Sequence, residues 1–275
     1  MRSMFSKSRT RGVLYRTNQL RIGEKNGRFP VTERQEQLAG FSQLALLAAK
    51  IILIGAGGLG GEIGEALVRK GIGFLTLLDD DVVEATNLNR QRFYAADLGK
   101  NKAVCLARNL AKEGCCGTEI RGYGLRLEEA IELGVDLSGR VAIVGIDNNP
   151  GRVAASRHFR HLEVPVIFTA VSETANNGYV FVQEPGGACF GCLYKDAIND
   201  ETYPCATPAV KDILKVVAGI TVYAVDSLIM ARKRFWNYKD EYLDGSIPGN
   251  TWRIERREDC KLCGSPCVEP QGANR

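Results

Sequence analysis

Hydrophobic residues along this chain fall into short continuous runs, separated by stretches in which apolar positions recur every three or four residues. Continuous runs such as 51–54 are typical of parallel strands buried on both faces, and the intervening spacing predicts amphipathic helices. Alternation of these elements predicts an α/β fold in which helices cover both faces of a doubly wound, mostly parallel sheet. The predicted strands are 51–54, 74–79, 118–123, 141–146 and 164–171, and the predicted helices are 58–70, 101–113 and 150–161.

The pattern changes after Gly178. An added strand is predicted over 179–183, followed by a cysteine-containing loop, a long helix near 208–236 and a strand at 251–256. These C-terminal strands would extend the sheet, and no linker separates them from the first half of the chain. We therefore expect an N-terminal extension at 1–33 and a single domain over 34–275.

A glycine-rich loop follows the strand at 51–54, and its letters GAGGLG satisfy the pattern G-x-G-x-x-G. Glycine lets the backbone turn tightly and approach a phosphate, and the first N–H groups of the next helix can face an anion. The strand at 74–79 then ends at Asp79, where this fold places the acid that binds a ribose hydroxyl. A tight turn without a ligand is the alternative. The predicted nucleotide-binding residues in this segment are Gly55, Gly57, Gly58, Gly60, Asp79 and Asp81.

Five further polar residues lie near the carboxyl ends of predicted strands, where open α/β sheets bind ligands. Asn87, Arg90 and Gln91 lie a short loop beyond the acids, Lys102 opens the next helix, and Asp147 follows the strand at 141–146. Arg90 and Lys102 could neutralise the charge that gathers on an α-phosphate attacked by a carboxylate. Asp147 could hold the magnesium ion that accompanies pyrophosphate. Either cation alone would also fit a solvated helix face, so the joint spacing carries the argument.

Charge and composition bear on the location and the partners of the chain. Residues 1–34 hold nine Lys or Arg against two Glu, so this segment carries +7 and the rest about −3 of the overall +4. No interleaved aromatic pattern accompanies these cations, so nucleic acid is not the expected partner. No apolar segment is long enough to cross a bilayer, and the N-terminus lacks the apolar core of a secretory signal. We therefore expect a cytoplasmic protein without membrane contact.

The motifs taken together resemble those of the ThiF/MoeB/HesA family of ubiquitin-activating-type adenylyltransferases. They read GAGGLG, D-x-D-x-V from Asp79, N-L-x-R-Q from Asn87, G-K-x-K ending at Lys102, and I-D-N around Asp147. The resemblance covers roughly 34–263 and implies a Rossmann-like sheet. In that family a partner's C-terminal glycine carboxylate attacks ATP and gives an acyl-adenylate and pyrophosphate.

The resemblance also implies a role for each motif. Asp79 would bind the ribose, Asn87, Arg90 and Lys102 the phosphates, and Asp147 magnesium. Members of the family further contribute an arginine from the opposite subunit, within an Arg-Gln pair upstream of the glycine loop. Arg34 is similar in type and distance and implies a homodimer, although its context is VTERQ instead of R-Y-x-R-Q. A peripheral basic residue is the alternative for Arg34.

Two Cys-x-x-Cys pairs give a separate signal. Cys189 and Cys192 form one pair and Cys260 and Cys263 the other, each with the spacing that presents two sulfurs to one tetrahedral zinc ion. The metal would join the C-terminal region to the loop after residue 183, and the resembling family carries a structural zinc at this pair of motifs. Free thiols are the alternative, and Cys267 lies close enough to replace one ligand.

Cys205 lies in the sequence TYPCATP, in the loop that precedes the long helix. Amide groups at the start of that helix would lower the pKa of a nearby thiol. In some members of the resembling family a cysteine here accepts the activated partner as a thioester or an acyl-disulfide, and in others it is dispensable. We therefore hypothesise that Cys205 is a covalent acceptor, with a spare thiol as the alternative.

The sequence thus predicts an ATP-dependent adenylyltransferase that activates a small ubiquitin-like or sulfur-carrier protein with a C-terminal glycine. A downstream conjugating or sulfur-transfer protein would take the product, and these residues do not separate the two fates. A peptide or a tRNA-linked carboxylate is an alternative substrate. A nicotinamide-dependent oxidoreductase would leave Arg90, Lys102 and the paired cysteines unexplained. An inactive scaffold would typically lack the phosphate-facing residues that are present here.

Overall fold

The computed structural model describes residues 12–19, 30–195, 209–230 and 232–264. Its central sheet consists of β1 (Val13–Arg16), β2 (Lys50–Ile54), β3 (Phe74–Leu78), β4 (Glu119–Tyr123), β5 (Val141–Val144), β6 (Val166–Val171), β7 (Asn177–Gln183), β8 (Tyr238–Tyr242) and β9 (Thr251–Trp252). The strand order is β1-β4-β3-β2-β5-β6-β7-β8-β9. The five strands from β4 to β6 are parallel, and β1 and β7 to β9 add antiparallel strands at the two ends.

Helices cover both faces of this sheet. They are α1 (Glu33–Glu36), α2 (Gln43–Ala48), α3 (Gly58–Lys70), α4 (Lys102–Leu110), α5 (Leu127–Glu132), α6 (Asn149–His161), α7 (Phe190–Leu193) and α8 (Lys211–Ile229), with 3-10 turns at Pro30–Thr32, Ala85–Asn87 and Ala95–Asp97. None of these described helices combines the length and hydropathy needed to cross a membrane.

The hydrophobic core forms two layers because side chains alternate along each strand. Ile51 and Leu53 of β2 face the layer built with α3, α4 and α8. Ile52 and Ile54 face the layer built with α5, α6 and α7. Both faces of β2 are therefore buried, as its continuous apolar run predicts.

The order in which strands are added to the sheet reverses at β2, so the carboxyl end of β2 lies at a topological switch point. The connection after β2 leads to β3 on one side, whereas β5 pairs with β2 on the other side. Ligands bind at such a point in open α/β sheets, in the crevice outside the strand ends. The loops that follow β2, β3 and β5 meet there.

The predicted parallel strands and the helix at 58–70 are confirmed, and three element boundaries need correction. The helix predicted over 101–113 ends at Leu110, and the strand predicted over 251–256 is only Thr251–Trp252. The helix predicted near 208–236 is Lys211–Ile229, and it ends because Met230 takes an extended backbone conformation, with its N–H bonded to Asp226 O at 2.7 Å.

The hydrophobic pattern does not predict two strands, β1 and β8, the second of which pairs antiparallel with β7. Strand β1 pairs antiparallel with β4, which places Val13 opposite Gly122 and Arg16 opposite Glu119. The pairing continues past the strand, where the N–H of Thr118 donates a 2.8 Å hydrogen bond to Oγ1 of Thr17. Part of the basic N-terminal extension therefore closes one edge of the sheet.

Candidate active site

The glycine loop joins β2 to α3 at the carboxyl end of β2, where the strand order reverses. Gly55 has φ +98°, a conformation that favours glycine, and its N–H bonds to Leu78 O at 2.9 Å. A Cβ at Gly60 would lie 2.0 Å from Gly55 O, so only glycine lets the helix start this close to the strand. A Cβ at Gly57, the N-cap of α3, would have Gln91 Nε2 at 3.9 Å as its nearest neighbour. The loop therefore leaves open space beside the first N–H groups of the helix, where an anion fits.

Asp79 follows β3 and is held against the glycine loop by the backbone. Its Oδ2 accepts a 2.7 Å hydrogen bond from Ala56 N–H, and its Oδ1 accepts a 2.9 Å bond from Asp81 N–H. Burial raises the pKa of Asp79 above its ordinary value of 3.8, although these N–H groups and the charge of Lys102 act in the opposite direction. The structure thus brings the predicted ribose acid next to the predicted phosphate loop.

The neighbouring acids are paired with cations. Asp81 forms a 2.8 Å ion pair with Lys102 Nζ, and Asp80 forms a 2.7 Å ion pair with Arg126 Nε. Carboxylate oxygens of Asp79, Asp80 and Asp81 lie within 4.8 Å of one another. Because each of the three already accepts a backbone N–H or a cation, this cluster is better suited to fixing the loop than to binding a metal.

The loop after the acids carries three predicted site residues, Asn87, Arg90 and Gln91. Asn87 is buried, and its Oδ1 accepts a 2.9 Å bond from Glu84 N–H, so its side chain closes the 3-10 turn. Arg90 donates to Thr86 O at 2.7 Å and to Asn89 Oδ1 at 3.1 Å. Gln91 faces the glycine loop, and its Oε1 is buried without a hydrogen-bond partner. This amide oxygen is an acceptor, so a donor such as a bound water or a ligand hydroxyl would be needed to satisfy it.

Two further predicted site residues, Asp147 and Arg34, lie far apart in the fold. Asp147 is exposed and follows β5, the strand on the other side of β2 from Asp79. Arg34 is exposed on α1, whose neighbouring residue Gln35 bonds to Lys70 O at the far end of α3. The structure therefore gathers the predicted nucleotide-binding residues at one edge of the sheet and leaves Arg34 away from them.

Asn101 is a structural part of the site that the motif pattern does not identify. As the N-cap of α4, it accepts a 3.0 Å bond from Val104 N–H, and its Nδ2 donates to Asp79 O at 2.8 Å and to Asp81 O at 3.1 Å. The same residue therefore fixes the acid loop and the helix that carries Lys102. An Asn directly before a helix is an N-cap signal that could have identified it.

The four paired cysteines form one buried cluster. Neighbouring sulfurs are 3.7 Å apart for Cys189 and Cys192, 3.6 Å for Cys189 and Cys260, and 3.4 Å for Cys192 and Cys263. Tetrahedral Zn–S bonds of about 2.3 Å require sulfur–sulfur separations of about 3.8 Å, so the donor set fits zinc. Burial opposes ionisation of Cys260, yet the N–H groups of Leu262 and Cys263 bring its pKa down to about 7.

Three cysteines lie elsewhere among the described residues. The predicted covalent acceptor and the alternative zinc ligand lie outside those residues. Cys105 and Cys116 are buried, where desolvation raises the pKa of each thiol, and Cys115 is half-buried. Cys205 and Cys267 are not among the described residues.

The ThiF family profile matches residues 29–262 of this chain. The SAMP-activating enzyme E1 of Haloferax volcanii is 27% identical over 238 residues, which is 82% of this chain and 83% of that protein. The sulfur carrier protein adenylyltransferase of Thermus thermophilus is 28% identical over 83% of this chain and 87% of its own length. The adenylyltransferase and sulfurtransferase MOCS3 of Mus musculus is 30% identical over 81% of this chain, which spans only 49% of that protein.

Solved structures show the same fold. A crystal structure of Escherichia coli MccB with MccA-N7isoASN superimposes with a TM-score of 0.68 and covers 81% of this chain and 69% of that chain. The sequence identity is 22%, so this likeness concerns the fold alone.

Proposed function

Because the chain belongs to the ThiF family, we propose that it is an ATP-dependent adenylyltransferase that activates the C-terminal glycine carboxylate of a small ubiquitin-like or sulfur-carrier protein. The names of its relatives in Haloferax volcanii and Thermus thermophilus support this substrate class. The observation that carries the proposal is the 2.7 Å hydrogen bond from Ala56 N–H to Asp79 Oδ2, which joins the acid loop to the open glycine loop. This contact would bring the ribose and the phosphates of one nucleotide into reach of the same site.

The proposed reaction is displacement at the α-phosphate of ATP. An oxygen of the partner's carboxylate forms a bond to the α-phosphorus, the bridging bond to the β-phosphate breaks, and pyrophosphate leaves. Arg90 would exchange its neutral acceptors, Thr86 O and Asn89 Oδ1, for a phosphate oxygen. Lys102 would extend from Asp81 toward the same charge, which grows as the carboxylate attacks. Gln91 would bind a phosphate oxygen or a bound water through its amide, and Asn87 would fix the loop.

Two metals belong to the proposal in different roles. Asp147 would hold magnesium, which neutralises charge on the departing pyrophosphate. The cluster of Cys189, Cys192, Cys260 and Cys263 would hold a structural zinc ion that ties α7 to the C-terminal segment. The proposed location is a reducing cytoplasm, because none of the seven cysteines among the described residues forms a disulfide.

A homodimer is the proposed assembly, with 34–275 as the adenylation domain and 1–33 as its extension. Arg34 would act on the phosphates bound by the partner subunit, because its position at the far end of α3 keeps it from its own glycine loop. A closed dimer with one arginine given in each direction meets the need of both sites at once.

Transfer to Cys205 is the proposed second step. Its thiolate would attack the acyl carbon of the adenylate, form a thioester and release AMP. The product would then pass to a conjugating or a sulfur-transfer protein.

ATP–pyrophosphate exchange tests the proposed function. We expect exchange with one small protein that ends in glycine, and loss of exchange when that glycine is removed or when Arg90 is changed to Ala. Arg157→Ala is the matched control, because Arg157 is an exposed arginine on α6. Exchange with a short peptide in place of a carrier protein would support the alternative substrate class. ATP binding without exchange toward any carboxylate would support the inactive scaffold.

A further inference from the structure

A buried carboxylate lies one turn below the glycine loop. Glu62 belongs to α3, and its side chain is 4% exposed. Its Oε2 is 3.5 Å from Arg92 Nη2, and its Oε1 is 3.5 Å from Lys211 Nζ but forms no hydrogen bond. A carboxylate that is buried with two long ion pairs is a poor source of stability, because its desolvation is incompletely offset. Its position calls for a different explanation.

Arg92 connects Glu62 to the loop that carries Arg90 and Gln91. The alkyl chain of Arg92 lies on Gly61, where a Cβ would be 3.2 Å from Arg92 Cγ. Its guanidinium also pairs with Glu65, and its carbonyl accepts a 3.0 Å bond from Asn109 Nδ2. Arg92 Nε is buried without a hydrogen-bond partner, and Nη1 lies 3.5 Å from Glu113 Oε1, so carboxylates reach the guanidinium at both of its terminal nitrogens. Arg92 directly follows Gln91 in the chain.

Lys211 connects the same carboxylate to α8. It is the first residue of that helix, and its side chain is 45% exposed. One turn later, Leu214 packs so closely on the start of α3 that a Cβ at Gly58 would be 2.6 Å from Leu214 Cδ1. Glu62 is thus shared by three elements that border the nucleotide site.

We propose that Glu62 is a positioning residue, which orients Arg90 and Gln91 toward the glycine loop by holding Arg92. The inference rests on the proposed function, since it concerns the same nucleotide site. Arg69 provides the internal comparison. It pairs with Glu65 and Glu113 in the same ionic cluster, but it lies near the other end of α3 and touches neither motif loop.

Three variants and their combination separate positioning from packing. Glu62→Gln keeps the shape and removes the charge, Arg92→Met keeps the chain over Gly61 and removes the guanidinium, and Arg69→Met is the control. We expect Glu62→Gln to lower kcat for ATP–pyrophosphate exchange about tenfold while KM for ATP stays within about twofold. In the Arg92→Met background, Glu62→Gln should cost nothing further, because the two residues act as a pair.

A second readout does not depend on activity. The N–H groups of Arg90 and Gln91 bond to Asn87 O at 3.2 and 2.9 Å, so hydrogen exchange reports whether the loop is held. In the full chain without nucleotide, Glu62→Gln and Arg92→Met should speed amide exchange in residues 88–92 about tenfold or more, and Arg69→Met should not.

The outcomes separate the two claims. If the native chain fails to catalyse exchange but Glu62→Gln still loosens the loop, the proposed function is wrong and the positioning role stands. Unchanged loop protection in Glu62→Gln would overturn the positioning role, as would equal loosening in Arg69→Met.

Discussion

The side-chain amide of Gln35 donates a 2.9 Å hydrogen bond to the carbonyl oxygen of Lys70, the last residue of α3. Gln35 Nε2 also donates to Gln43 Oε1, and this second bond places α1 beside α2 at the C-terminal end of α3. At 1.5 Å per residue, the glycine loop lies about 18 Å away along α3. An arginine side chain on α1 cannot span that distance, so the proposed role of Arg34 requires a nucleotide held by another copy.

Mixing two inactive variants tests this assignment. Arg34→Ala and Arg90→Ala should each abolish exchange, but dimers that contain one chain of each would hold one intact site. After subunit exchange at equal concentrations, activity should return toward about a quarter of the native value. No recovery, despite mixed dimers detected by two affinity tags, would show that Arg34 does not act across subunits.

Substitution of two glycines should change stability in opposite directions. Gly60→Ala places a Cβ 2.0 Å from Gly55 O, whereas Gly219 in the middle of α8 has open space around its Cβ position. We expect Gly60→Ala to lower the free energy of unfolding by about 3 kcal/mol or more. Gly219→Ala should raise it by about 0.5–1 kcal/mol, because alanine loses less entropy in a helix. Denaturant titration measures both, and equal effects would contradict the close contact.

Nucleotide affinity should depend on the ionisation of Asp79. Burial raises the pKa of this carboxyl above 3.8, so it takes up a proton at a pH where an ordinary aspartate is still charged. Protonation removes an acceptor that the ribose hydroxyl needs, so ATP affinity should fall as the pH falls through the raised pKa. Titration calorimetry should show this acidic decline in the native chain and not in Asp79→Asn.

The contribution of Asp79 to folding has the opposite sign. The folded chain binds this proton more tightly than the unfolded chain does, so Asp79 favours folding at low pH and favours it less as the pH rises. For the affinity titration, Asp80→Asn is the control, since Asp80 pairs with Arg126 at the surface. An acidic decline in ATP affinity that disappears in Asp80→Asn would show that the wrong carboxyl had been identified.

Metal analysis tests the cysteine cluster. We expect one zinc ion per chain, and we expect Cys263→Ser to lose it and to lower the free energy of unfolding by several kcal/mol. Cys115→Ser is the matched control, because Cys115 is a half-buried thiol outside the cluster. Full zinc content in Cys263→Ser would indicate that another residue, such as Cys267, provides the fourth ligand. A native chain purified without chelator and free of zinc would contradict the site.

Trapping tests the thioester. During turnover with ATP and the partner, we expect a covalent adduct that migrates on a non-reducing gel and disappears on treatment with a thiol. Cys205→Ala should form none, and Cys115→Ser should form it normally. A native chain that exchanges pyrophosphate but yields no adduct would make Cys205 a spare thiol.

Local patterns in the sequence were sufficient for the parallel strands, the glycine loop and the cysteine pairs. The run at 51–54 predicts a strand buried on both faces because neither face has a polar position, and Gly55 and Gly60 mark a turn that no other residue allows. The spacing of Cys189 and Cys192 is equally local, since one turn presents both sulfurs. Each of these signals depends on residues that are neighbours in the chain.

Contacts between distant residues depended on the tertiary structure. The edge strand β1 forms only because residues 119–123 provide a partner, and buried Asp226 of α8 pairs with Lys70 and Arg232, which are distant from it or beyond its helix. No local pattern places Glu62 against Arg92 or ties Gln35 to the far end of α3. Local propensity and spacing therefore determined the elements and motifs of this protein. Long-range packing and charge pairing decided where its sheet ends, how Glu62 meets Arg92, and how far Arg34 lies from the glycine loop of its own chain.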